Sequence, residues 1–145
     1  RVDNEGQILC FETVDVLCPI RMQANGKFYT VRIPWKEDFV AFYREARHII
    51  DSIPEDGNPY GTENDSTEDQ RYSVILVSAT PDLYFTSMTH TQERPSGSSY
   101  PLLNVGKAVV REGKLVMPVA INVHHGFVDG AHLATFYQKV EAYLR

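Results

Sequence analysis

The amino-acid sequence predicts an α/β protein, a two-layer α+β sandwich in which a mixed β-sheet carries helices on one face. Three observations predict it. Apolar, β-branched runs recur along the chain at strand lengths. Two segments change to a helical period of three and four residues. The 145 residues, 43% hydrophobic and 23% charged, suit a single domain over 1–145, and a domain of this size buries about two-thirds of its unfolded surface.

Ile8 to Phe11 is a short strand candidate. Val14 to Gln23 and Lys27 to Ile33 read as a hairpin joined at Ala24-Asn25-Gly26, where Asn-Gly supplies the positive φ of a tight turn. From Lys36 to about Ser52 the period is helical. Phe39, Phe42, Tyr43, Ala46, Ile49, Ile50 and Ile53 fall along one face, and Glu37 or Asp38 suits the positive amino end.

Pro54 to Gln70 holds Glu55, Asp56, Glu63, Asp65, Glu68 and Asp69 and no Lys or Arg. Its carboxylates do not keep the order of a calcium loop, so it reads as a solvated surface loop. Ser73 to Ser78 is a continuous apolar run, as in a central strand covered on both faces. Leu83 to Ser87 is a further strand candidate, and Thr91 to Tyr100 a polar loop. Leu102 to Val110 and Leu115 to Val123 read as two long strands across a turn at Glu112-Gly113. Ala131 to Leu144 is the last helix, with Leu133, Phe136, Tyr137, Val140, Tyr143 and Leu144 as its apolar stripe.

Composition excludes several classes. No apolar run approaches the roughly 20 residues of a spanning helix, so no membrane partner is expected. The net charge is −5 and the positive residues form no run, which argues against nucleic acid as partner. Cys10 and Cys18 cannot build a disulfide framework or a cysteine-rich zinc site; one disulfide fits them, and two buried reduced thiols in a cytosolic protein fit better. The chain opens Arg-Val-Asp-Asn-Glu-Gly, which suits a mature terminus, a trimmed chain or a fragment.

Chemistry concentrates at Ile121-Asn122-Val123-His124-His125-Gly126-Phe127-Val128-Asp129-Gly130-Ala131-His132. A strand ends in two histidines, turns, and enters a helix. Successive strand residues face opposite sides, so one of His124 and His125 faces a given cleft. Asp129 sits where a carboxylate caps exposed helix amides. A histidine there is well placed as a general base, although such pairs are often only packed or solvated. His124, His125 and His132 do not converge as metal ligands and no His-Glu-x-x-His is present, so no metal is expected. No Gly-x-Ser-x-Gly elbow and no Gly-rich phosphate cradle opening a helix is present.

The stretch His124 to Gly130, preceded by Leu115 to Val123, resembles the signature of the chloramphenicol acetyltransferases. The resemblance extends to Val77-Ser78-Ala79-Thr80-Pro81 followed by Phe85-Thr86-Ser87, to Pro101 to Lys107, and to Val14-Asp15 with Phe28 to Trp35. It implies a coenzyme-A-dependent acyltransferase fold and direct transfer from acetyl-CoA to a small hydroxyl acceptor, chloramphenicol or similar. His125 would be the general base and Ser78 the hydrogen-bond donor to the oxyanion. Asp129 would hold the histidine loop by pairing with an arginine, and Asn104 would support the site. Phe28 and His90 would lie at the acceptor, and Lys107 toward the coenzyme phosphates. A cytoplasmic homotrimer with active sites between subunits, conferring antibiotic resistance, is also implied.

Departures bear on the acceptor. Family members usually carry threonine at Asn104, tryptophan at Asp82 and an apolar residue at His90. Family chains also begin with a further strand and helix, which carry that arginine. By this likeness the chain corresponds to the carboxy-terminal two-thirds of a subunit. Two alternatives stand beside this reading: the catalytic domain of a dihydrolipoamide acyltransferase, which shares His-x-x-x-Asp-Gly, and a non-catalytic fragment or paralogue that only binds or assembles.

Overall fold

The computed structural model describes every residue except 4, 24, 55–72, 90–98 and 145. The acid-rich stretch, His90 and most of the polar loop before Tyr100 therefore lie outside the described residues. In chain order the elements are β1 (Asp15–Arg21), β2 (Phe28–Ile33), α1 (Phe39–Asp51), β3 (Val74–Ala79), β4 (Leu102–Val105), β5 (Val109–Arg111), β6 (Lys114–Val116), β7 (Val119–Asn122) and α2 (Gly130–Tyr143).

One five-stranded sheet has the order β2-β1-β3-β4-β7, and β5 and β6 make a separate two-stranded ribbon. The sheet is mixed: β1 and β4 lie parallel to β3, while β2 and β7 run antiparallel to their neighbours. This is the predicted α/β architecture. No helix among the described residues is long and apolar enough to cross a membrane.

The core forms where α1 lies on the first hairpin. Val31, Ile33 and Ala46 are buried, with Val16, Cys18, Ile20, Phe42, Ile49 and Ile50 packed around them. The hairpin turns at Gly26, whose φ of +68° needs no side chain to be accommodated. Of Glu37 and Asp38, it is Asp38 that starts α1, accepting the Ala41 N–H at 2.8 Å, and the helix begins at Phe39 rather than Lys36.

Five expectations are corrected. Ile8 to Phe11 forms no strand; Ile8 makes one isolated bridge to Val2. Leu83 to Ser87 is irregular, held by turn contacts such as Leu83 N–H to Thr80 O. The two long strands are each broken in two, so β4 pairs with β7 and β5 with β6. Pro118 has no N–H to continue a ladder, and Gly106 donates to Pro118 O at 2.9 Å in a space too tight for any side chain. The stripe of α1 is narrower than its period suggests: Phe39 is 75% exposed and Tyr43 56%, at the edge of the buried arc. In α2 the expected stripe holds at Leu133, Phe136, Tyr137 and Val140, which are half-buried, but not at Tyr143 and Leu144, which stand in solvent.

The thiols also differ from expectation. Cys10 is exposed and Cys18 half-buried, and both are free. Burial pushes the Cys18 thiol up from its ordinary value.

Candidate active site

Strand pairing places Ser78. On β3 it is the register partner of Asn104 on β4, and Asn104 is in turn the partner of Ala120 on β7. Register partners share a face, so these three side chains form a row across the sheet. Asn104 is 1% exposed, while Ser78 is half-buried.

Alternation along β1 and β2 puts Phe28 on the same face and toward the same end of the sheet; it is 58% exposed. Just past β4, the Lys107 N–H donates to Leu83 O at 2.8 Å, so Lys107 belongs to this end as well.

The histidine loop lies at the other end. Asn122 pairs with Leu102, and β7 runs antiparallel to β4, so the chain leaves the sheet near the starts of β3 and β4. His124 there lines a cavity of about 250 Å³ with Arg1, Cys10, Ser99, Phe127 and Val128. Arg1 closes one side, donating to Val74 O at 2.7 Å and Ser99 O at 3.4 Å. His125 follows Ala120 by five residues. It lies beyond the end of β7, at the end of the sheet opposite Ser78, so the two are well separated within one chain. The fold brings together Ser78 and Asn104, with Phe28 and Lys107 at their end, and it brings together His125 and Asp129. It does not join the two groups.

β7 ends at Asn122, so contrary to expectation both histidines lie in the turn after the strand, and there one ring is half-buried and the other exposed. His124 is half-buried, its ring 5.2 Å from that of Phe127, and its Nδ1 accepts the Gly126 N–H at 3.1 Å. His125 is exposed, and its Nδ1 faces Val128 O at 3.3 Å. A carbonyl oxygen only accepts, so in the neutral ring this contact is made by the tautomer that carries its proton on Nδ1.

Asp129 is the N-cap of α2, its Oδ1 accepting the N–H groups of Ala131 at 2.9 Å and His132 at 3.1 Å. His132 Nδ1 lies 2.7 Å from the same oxygen. The His132 backbone hydrogen bond, with the imidazole and Ala131 N–H adding to it, holds this carboxyl below its ordinary value. Where the resemblance implies an arginine partner, His132 is the partner seen here. Among the described residues no three potential metal ligands stand together.

Sequence reasoning did not single out the Val128 carbonyl or the grip of His132 on Asp129. A backbone acceptor has no residue-type signal. The second was readable as Asp-x-x-His, the spacing at which capping boxes close.

Comparison with known proteins adds to this geometry. The family model described as chloramphenicol acetyltransferase matches residues 2–141. A chloramphenicol acetyltransferase of Bacillus pumilus is 30% identical over 115 residues, covering 77% of this chain and 48% of its own. A solved chloramphenicol acetyltransferase structure is 58% identical with a TM-score of 0.90, covering 100% of this chain and 68% of its own. A dihydrolipoamide acetyltransferase of Azotobacter vinelandii shares the fold at 17% identity, with a TM-score of 0.57 over 96% of this chain and 57% of its own. The chain spans about half to three-fifths of the length of the curated relatives it matches. With the match running over nearly the whole sequence and the fold shared at 58% identity, the chain belongs to the chloramphenicol acetyltransferase family.

Proposed function

We propose that the protein moves the acetyl group of acetyl-CoA directly to a hydroxyl of chloramphenicol or a related small acceptor. The observation that carries this reading is the contact of His125 Nδ1 with Val128 O, on a histidine that is otherwise open to solvent. In the neutral imidazole this contact makes Nε2 the proton-accepting nitrogen, beside an accessible surface.

His125 Nε2 takes the proton of the acceptor hydroxyl as that oxygen attacks the thioester carbonyl. Ser78 Oγ–H donates to the carbonyl oxygen as it gathers charge; such a donor contributes about 2.7–4 kcal/mol in enzymes where one has been removed. The new C–O bond forms, the C–S bond breaks, and the imidazolium returns its proton to the leaving sulfur. No acyl-enzyme is involved. Asn104 supports Ser78, Asp129 holds the histidine loop, Phe28 and His90 wall the acceptor, and Lys107 draws the coenzyme phosphates by charge.

The catalytic assembly is a cytoplasmic homotrimer with sites between subunits, in which His125 of one copy faces Ser78 of another. The separation of these residues within one chain supports it. Acetyl transfer to chloramphenicol, followed by thiol release, tests the function on this chain and on the chain extended at its amino terminus. Activity in the extended chain is expected. A folded, extended chain that does not bind acetyl-CoA would overturn the reading.

A further inference from the structure

The reaction above gives His132 no part, yet its position ties it to His125. His132 Nδ1 lies 2.7 Å from Asp129 Oδ1 and 3.3 Å from the Asp129 backbone nitrogen. That nitrogen belongs to the peptide unit between Val128 and Asp129. The other end of the same unit is the Val128 carbonyl, 3.3 Å from His125 Nδ1. One peptide plane therefore stands between two imidazoles. Partial double-bond character makes it rigid, so its N–H end cannot tilt without moving its carbonyl.

We propose that His132 is a positioning residue for His125, acting through the Val128–Asp129 peptide plane. The Asp129 backbone N–H donates to His132 Nδ1 at 3.3 Å, closing the capping box, so the imidazole holds the N–H end of the plane directly. The ring nitrogen also lies 2.7 Å from Asp129 Oδ1, and that oxygen receives the Ala131 and His132 N–H groups, so Asp129 is held from the helix and from the ring at once.

Without that grip the plane turns about its flanking bonds and carries Val128 O away from His125. The His125 ring is exposed within the chain. Its proton then divides between Nδ1 and Nε2, and the base is available only part of the time. Glutamine, an ordinary residue at this capping-box position, offers an amide that accepts the Asp129 N–H and donates to the carboxylate.

The kinetic arm of the test rests on the acetyl-transfer reading; the spectroscopic arm does not. In the amino-terminally extended protein, His132→Ala should lower kcat about 10–100-fold with KM for acetyl-CoA within about 3-fold, the scale of a displaced catalytic group. His132→Gln should recover kcat to within about 5-fold of the parent. Imidazole ¹⁵N resonances should show His125 protonated at Nδ1 in the parent and in His132→Gln, and a tautomer mixture in His132→Ala. Should the alanine variant not fold, His132→Phe keeps the ring volume without its nitrogens and is read in the same way. Unchanged kcat and unchanged His125 tautomer in a folded variant would overturn the proposal, as would a glutamine variant that loses as much as alanine. If the parent transfers no acetyl group, the acetyl-transfer reading fails and the tautomer alone decides the role of His132.

Discussion

Asn104 stands directly beside Ser78, on the adjacent parallel strand and the same face, and is the most deeply buried polar side chain among the described residues. A buried amide removed without its partners leaves those partners unsatisfied, at about 1–3 kcal/mol. Asn104→Leu, close in volume and without polar atoms, is therefore expected to lower stability by that amount. Urea denaturation, with m unchanged, measures it.

Gly106 is a packing constraint between two segments. A Cβ there would stand 2.6 Å from Pro118 Cγ and 2.7 Å from both Leu83 O and Phe85 Cε1. Since Leu83 O is backbone, the strain cannot be relieved by turning a side chain. Gly106→Ala is expected to cost about 1–3 kcal/mol, read as a lower urea midpoint.

Asp129 gives stability an acid-side dependence. Its folded-state value lies below the ordinary 3.8, because the His132 N–H and then the imidazole favour the carboxylate. The folded state thus binds the proton less readily than the unfolded chain. Its contribution is complete above the ordinary value and is lost as pH falls through the lowered one. The difference in Tm between the parent and Asp129→Asn should be constant at neutral pH and shrink below about pH 4.

The distance between Ser78 and His125 within one chain predicts complementation. Ser78→Ala and His125→Ala chains, each deficient alone, should recover activity when unfolded and refolded together. A site drawn from two copies finds both intact side chains in roughly a quarter of random pairings. No recovery from a co-assembled mixture would mean that one chain supplies both groups.

What the sequence made legible was local. Asn25-Gly26 marked the hairpin turn, Asp129 the start of the last helix and the pair Glu37-Asp38 the start of the first, because each carries its conformational reason in its own residue type. The histidine motif stood out for the same cause. Strand partnering was not legible. Nothing in Leu102 to Val110 announces that Gly106 is wedged against Pro118, so one long hairpin was expected where a sheet pair and a separate ribbon form. The exposure of Phe39 and Tyr43 likewise depends on where the sheet stops, which helical period does not encode. Most consequential for the site, the motif carrying Ser78 and the motif carrying His125 were both readable, but only register shows them at opposite ends of one sheet.

The central claim is that His125 Nε2 is the base of an acetyl transfer, and the most direct measurement is thiol release in His125→Ala of the amino-terminally extended protein, beside its affinity for acetyl-CoA. Loss of a general base costs about 10²–10⁴-fold. The expected result is a fall of that size in kcat with acetyl-CoA binding within a few-fold of the parent. Turnover that survives the substitution to within a few-fold would contradict the account.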